Sequence, residues 1–463
     1  MTMTKRLKMK ALALSVISTL AMSLSAQTKA EMEQLRQEVT QNLTENILPF
    51  WMENMTDHEN GGYYGRIDGN NRLHAHADKG AVLNARILWA FAAAYRVLRN
   101  PQYLQAAVRA KQYIMDHFVD HLHGGVYWAL DYKGNPIDTK KQSYAIGFTI
   151  YAMSEFYRAT GDAEALRCAT ELYTTLQQHA YDATGTGYIE ALTRDWQPIA
   201  DMRLSDKDEN MSRTMNTHLH ILEPYTNLYR CLTQASTLNS QFPINFVDFC
   251  HDSAKQASLM ALAAPKVLNS PFSILHPLRS SLTTLIHIFT QKLLNPHTHH
   301  LDLFFDQHWQ GRRNIESYGH DIEAAWLLTE ALEVLQDSQL TAQTMPKVQL
   351  IAQAAEEGIM ADGSMIHEKK DGIADDERHW WVQCECVIGE INQYQHFNDR
   401  QALERALRCF QYIEDNLVDR QHGEWYWSRR ADGTVNHQDD KAGFWKCPYH
   451  NTRMCLEIIE RHL

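Results

Sequence analysis

The sequence predicts an all-α chain folded as an (α/α)6 barrel with short β-hairpin-like connections at one end, and three observations carry that expectation. First, six glycine- or aromatic-rich segments of hairpin character recur: Gly61 to Asp68, Gly124 to Trp128, Gly187 to Glu190, His300 to Phe305, Gly363 to Ile366 and Gly423 to Trp427. Their spacing is close to about 60 residues, except between the third and fourth, and a period of that length implies helix pairs that stack or close into a ring. Second, each segment leads into a helix apolar nearly all round, the pattern of an element buried on every side. Third, an amphipathic helix follows each of these, which is the pattern of an outer layer.

The elements follow in order. Residues 1–26 read as an export signal: Lys5, Arg6, Lys8 and Lys10 precede an apolar run from Ala11 to Met22 and the small residues Ser23, Ser25 and Ala26. The helix from Glu31 to Trp51 supplies the last outer position of the ring. The stretch from Lys79 to Leu98, KGAVLNARILWAFAAAYRVL, is the first inner helix. Gln102 to Phe118 sets Leu104, Ala107, Ile114 and Phe118 against Gln105, Arg109, Gln112 and Asp116, an outer helix. The order repeats through residues 27–463, a single catalytic domain. The long interval holds an insert at about 232–272, rich in Ser, Asn, Gln and Pro, with one helix expected around His251 to Leu262, before an outer helix from about His276 to Leu294.

Composition excludes more than it selects. Fifty-six acidic against 44 basic residues give a formal charge of -12, and no basic stripe lies beyond the N-terminus, which argues against nucleic acid. Once the signal is removed no stretch reaches the length needed to span a bilayer, so no membrane association is expected. The eight cysteines form no CxxC pair or regular framework and read as buried thiols. The signal argues for export to the periplasm and the thiols for the cytoplasm as the alternative. A monomer is expected. Eleven Trp and 20 Tyr suit the C–H faces and hydroxyl rims of sugars.

Six parallel inner helices bring their first turns to one end of the barrel. Those turns hold Tyr144, Asn216, His220, His320, Glu323, Trp380, Trp381, Glu385, Trp445 and His450, and Arg66 joins them from the first hairpin. Singly, each is more often a satisfied core residue than a functional one. Three histidines at matching places in three repeats are costly in a core and natural in a polar pocket. His220 with Glu223, and His320 with Glu323, are i,i+3 pairs on one helix face, so each carboxylate can orient its imidazole. His218 points away from Asn216 and His220 and is expected to be structural.

Imidazole suits proton transfer beside a carbonyl, because moving the C2 proton of an open-chain aldose between faces needs two near-neutral bases and donors for the enediolate oxygens. A metal site is a rival reading of the HxH and HxxE patterns, but the two HxxE pairs stand in different repeats and lack the further carboxylates of a di-iron site. Glycoside hydrolysis by two of Glu323, Glu385 and Asp208 is a second rival, although it has no need of three histidines. A sugar-binding toroid is a third.

The segments GGYYGRID, MNTHLHILEPYTNLYR, LDLFFDQHW, SYGHDIEAAWLL, WWVQCE and FWKCPYHNTRMCLE, spread over nearly the whole chain, resemble the N-acylglucosamine 2-epimerase superfamily. The resemblance implies an (α/α)6 barrel and epimerisation, without metal or other cofactor, at C2 of the reducing-end sugar of a β-1,4-linked disaccharide such as cellobiose, through a cis-enediolate. It implies that His320 and His450 are the acid/base pair and that His220 and Arg66 stabilise the intermediate. Asn216, Tyr144 and Glu323 would hold the sugar or orient a base, and Trp381 and Trp445 would stack on it. Which of Trp380 and Trp381 faces the pocket stays open, as does isomerisation of mannose-like aldoses to ketoses within the same superfamily. The insert and the export signal depart from the superfamily pattern.

Overall fold

A computed structural model describes residues 27–241, 271–312 and 314–461. The signal, most of the insert and the helix expected at His251 to Leu262 lie outside the described residues.

Among the described residues twelve helices alternate between an outer and an inner ring. The outer helix α1 covers 27–54 with a π-turn at Leu43–Ile47. It is followed by α2 (Ala81–Leu98, inner) and α3 (Pro101–Tyr113, outer, continued by a π-turn to Phe118). Then come α4 (Ser143–Thr160, inner), α5 (Ala163–His179, outer), α6 (Met215–Gln241, inner) and α7 (Leu275–Ile288, outer, continued to Leu293). The last five are α8 (Tyr318–Leu335, inner), α9 (Ser338–Ala355, outer), α10 (Trp380–Phe397, inner), α11 (Arg400–Asn416, outer) and α12 (His450–Glu460, inner). Each inner helix packs on the next, and α12 returns to α2, so the inner ring is closed. The inner helix α2 is long and apolar enough to cross a membrane by length and composition, and it is buried within the barrel. Helix α6 runs on to Gln241, past the expected start of the insert at 232.

The two ends of the ring are built differently. At the lower end four inner helices stop on a residue in the left-handed region, Arg99, Gly161, Gln336 or Asn398. The next residue, Asn100, Asp162, Asp337 or Asp399, caps the following outer helix by accepting a hydrogen bond from its first turn. Two residues thus reverse the chain. At the upper end the chain wanders further, and every repeat makes the same two contacts. The end of each outer helix pairs with its own glycine-bearing or aromatic segment: Thr56 with Tyr63, Val119 with Val126, Tyr181 with Tyr188, Leu294 with Leu301, Ile359 with Met365 and Val418 with Trp425. The residues just before each inner helix pair with the next segment around the ring, from Lys79 with Leu130 to Ala442 with Ile67, which closes it.

Buried ion pairs repeat with the hairpins. Lys79 meets Asp57 at 2.8 Å, Lys141 meets Asp120 at 2.8 Å, and Lys441 meets Asp419 at 2.7 Å. Each aspartate also accepts backbone N–H groups of its turn, so one carboxylate fixes the turn and ties it to the strand that enters the inner helix. Because both charges are paired and the remaining lone pairs are used, removing one partner would be costly.

Candidate active site

A cleft of about 510 Å³ opens at the upper mouth. Arg66, Tyr144, Asn216, His220, His320, Glu323, Trp380, Trp381, Trp445 and His450 all line it, as the convergence of helix starts requires. Glu385 does not. It lies beneath the floor, where its Oε1 accepts from His450 Nδ1 at 2.7 Å and its Oε2 from Trp326 Nε1 at 2.9 Å, so it orients a base instead of touching a ligand.

His450 is the first residue of α12, and its bond to Glu385 leaves Nε2 toward the cleft. His320 stands in the first turn of α8. Its Nδ1 pairs with Ser317 Oγ at 2.7 Å, not with Glu323 as the i,i+3 spacing suggested. The reason is Arg453, a fully buried arginine on α12 that draws Glu323 Oε1 to its Nη2 at 2.6 Å and Glu385 Oε1 to the same nitrogen at 2.7 Å, while its Nη1 takes Glu223. The ring of Trp381 lies 4.7 Å from that of His320 and 5.7 Å from that of His450, so both imidazoles border one patch of cleft wall. Gly319 makes this possible, since a Cβ there would come within 2.7 Å of the Trp381 ring.

His220 depends on a helix defect. Pro224 has no N–H for the carbonyl four residues earlier, and α6 leaves helical geometry at His220 (φ -86°, ψ 16°). Gly147 of α4 packs against the freed carbonyl, where a Cβ would collide with it. The His220 Nδ1 bonds Glu223 Oε2 at 3.1 Å, as the spacing suggested. His218 is structural: its Nδ1 bonds the Thr214 carbonyl at 2.7 Å and its Nε2 accepts from the Tyr188 N–H at 3.0 Å.

Electrostatics separates the roles. Burial lowers His220 to about 4 and His320 to about 3, and it holds His450 well below the imidazole range with help from Arg86 and Arg453, so all three are neutral at neutral pH. Burial alone would raise Glu223, but Arg453 and His220 outweigh it and bring it to about 2. Burial and the neighbouring Glu385 push Glu323 well above the carboxylate range, because one guanidinium cannot balance three carboxylates. Among the described residues the Oε2 of Glu323 and the Oδ1 of Asn216 are buried without a protein partner at the cleft wall, which is costly unless a ligand completes them.

The aromatic walls resolve the tryptophan question. Both Trp380 and Trp381 border the cleft, but Trp380 is buried against Trp427 at 4.6 Å, and Trp381 is the one beside the histidines. Trp445 stands edge-on to Tyr144 at 6.0 Å on the opposite side. Arg66 sits at the exposed rim, its Nε 2.7 Å from Asp440 Oδ1. Sequence reasoning passed over Arg86, which donates to Tyr144 Oη at 2.9 Å, and Arg453. The signal was present: an arginine inside an otherwise apolar helix has to meet a buried partner.

The profile of the N-acylglucosamine 2-epimerase family matches residues 62–225 and 277–453. A cellobiose 2-epimerase of Bacteroides fragilis is 51% identical over 92% of this chain and 99% of its own length. One from Ruminococcus albus is 36% identical over 92% and 98%. The solved cellobiose 2-epimerase of Bacillus thermoamylovorans superposes with a TM-score of 0.79 at 37% identity, covering 93% of this chain and all of the other. Barrel and cleft therefore define an epimerase, an enzyme of the isomerase class. The chain belongs to the N-acylglucosamine 2-epimerase family.

Proposed function

We propose that this protein converts cellobiose to 4-O-β-glucosylmannose by removing the C2 proton of the open-chain reducing-end sugar from one face and returning a proton to the other. The observation that carries the reading is the pair His320 and His450, each held at Nδ1 from behind and both bordering the Trp381 ring. The neutral imidazole on one face takes the C2 proton; the C–H electron pair forms the C1–C2 double bond, and charge passes to the C1 oxygen. The partner imidazole, neutral at rest, takes a proton from solvent as the enediolate forms and, as imidazolium, hands it to C2 on the opposite face while the C1 carbonyl re-forms; the first imidazole then releases its proton to solvent. Burial makes that imidazolium a strong acid, which drives proton return to carbon.

Glu323, kept neutral, donates from its unpartnered oxygen to the enediolate, and Arg66 approaches from the rim. Because Glu223 is ionised and accepts from His220 Nδ1–H, the neutral His220 offers a lone pair at Nε2 and suits taking a hydroxyl proton during ring opening. The reaction runs without metal in this reading, since Arg453 already supplies the cation between Glu323 and Glu385. The same ion pairs argue against hydrolysis, which needs two carboxylates flanking the bond to be cut. The enzyme acts as a monomer on a disaccharide, with its site built from one chain, and is exported to the periplasm by its N-terminal segment.

Incubation with cellobiose in deuterium oxide with a chelator present tests the chemistry. The expected product carries mannose configuration and deuterium at C2. Free glucose would make the protein a hydrolase, a ketose an isomerase of the other type, and loss of turnover with chelator a metal enzyme.

A further inference from the structure

Among the described residues three groups of histidine and carboxylate ligands gather closely enough to hold a metal ion. Glu323, Glu385 and His450 already meet the Arg453 guanidinium or one another. In the group of His300, Glu316 and Glu357, the His300 Nδ1 is bound to Asp321 at 2.7 Å, and the Glu316 Oε2 to Lys369 at 2.7 Å. In the third group, His367, Asp375 and His379, the two histidines line the cleft, and none of the three has a part in the proton transfer described above.

It is held by a short hairpin. Glu368–Lys370 pairs with Ile373–Asp375 across a turn at Asp371 and Gly372, both at positive φ, and the His367 N–H donates to the Asp375 carbonyl at 3.2 Å. His379 directly precedes α10 and stacks on His367, with ring centroids 4.0 Å apart and planes within 3°. One ligand atom from each of His367, Asp375 and His379 falls within 4.8 Å of the others. The His367 Nδ1 to Asp375 Oδ2 distance is 3.0 Å, about the separation of two adjacent ligands that each bind a zinc ion at roughly 2.0–2.1 Å. A fourth donor is near, since Glu377 Oε2 lies 3.1 Å from His379 Nε2.

We propose that His367, Asp375 and His379, completed by Glu377, bind a divalent transition-metal ion of the zinc class at the wall of the cleft, and that the bound ion weakens sugar binding without entering the chemistry. Two imidazoles with carboxylates favour such ions over magnesium or calcium. Because the His367 and His379 rings lie parallel within 3°, an ion would bind with both rings turned out of their stack about χ2, a broad and soft torsion. His367 and His379 both line the cleft, and the His367 ring stands edge-on to Trp381 at 6.1 Å, so an ion here occupies the approach to the tryptophan beside both bases.

Titration calorimetry of the full chain with Zn²⁺ at neutral pH, without sugar, reads the site independently of turnover. One ion per chain is expected, with affinity falling at least tenfold in His367→Ala and in Asp375→Asn. Asp375 is half-exposed and lies outside the cleft lining, so its substitution spares the fold. In steady-state assays Zn²⁺ should raise KM in the parent with kcat unchanged, and leave KM unchanged in Asp375→Asn. Absence of zinc binding, binding unaffected by both substitutions, or loss only in His300→Ala or Glu385→Gln would overturn the proposal.

Discussion

The barrel has two mouths of nearly equal capacity, a cleft of about 510 Å³ above and a cavity of about 520 Å³ below, and volume does not tell them apart. Wiring does. At the lower mouth positive and negative groups are matched: Arg96 with Glu155 and Glu460, Arg158 with Glu155, Arg230 with Glu330, Arg461 with Glu457. At the upper mouth three buried glutamates share Arg453, three neutral imidazoles face the opening, and buried oxygens of Asn216 and Glu323 lack protein partners among the described residues. Balanced charge closes a barrel; charge left unbalanced at one end, at a cost to stability, prepares that end for a ligand.

Substitution at the upper mouth tests this contrast most severely. His320→Ala and His450→Ala should each lower kcat by about 10²–10⁴ with the circular-dichroism spectrum unchanged. Glu330→Gln at the lower mouth should leave kcat within about twofold, the pair being partly exposed. Retained turnover in either histidine variant would remove that residue from the acid/base pair.

The next largest effect is on stability. Arg453→Met leaves three carboxylates around an uncharged side chain and should cost about 3–5 kcal/mol in urea unfolding, whereas Arg230→Met should cost about 1 kcal/mol or less. Equal losses would mean that the upper network carries no more charge strain than the lower one.

How far the sequence reached follows the same division. The ring was legible because helix class depends on local periodicity, and the alternation of Ala81–Leu98, apolar nearly all round, with amphipathic Pro101–Tyr113 is a property of each stretch alone. Convergence of the site was legible too, because it follows from the common direction of the inner helices. Partners were not. Nothing in the spacing of His320 and Glu323 says that an arginine 130 residues away will claim the carboxylate and leave the imidazole to Ser317. Glu385 was misplaced for the same reason: its position in α10 fixes its level in the barrel, but only the packed structure puts His450 above it. The ring of hairpin pairings that ends with Ile67 and Ala442 is likewise a long-range fact.

The smallest effect separates two histidines only two residues apart. Burial lowers both His218 and His220 to about 4, although the first braces a turn and the second lines the cleft. For either, the unfolded chain binds a proton below about 6.5 that the folded chain refuses, so each contributes stability that is present above 6.5 and lost as pH falls toward 4. Each contributes a slope of up to about 1.4 kcal/mol per pH unit in that window. His218→Gln should remove one such slope from urea unfolding measured between pH 6.5 and 4.5, with sugar present or absent. The slope due to His220 should instead extend below pH 4 with a bound disaccharide, because a hydroxyl donating to Nε2 stabilises the neutral ring further and moves its protonation to still lower pH. If saturating disaccharide leaves the pH dependence of wild type and His218→Gln equally unchanged, His220 does not meet the sugar, and the division between a bracing histidine and a working one fails at that residue.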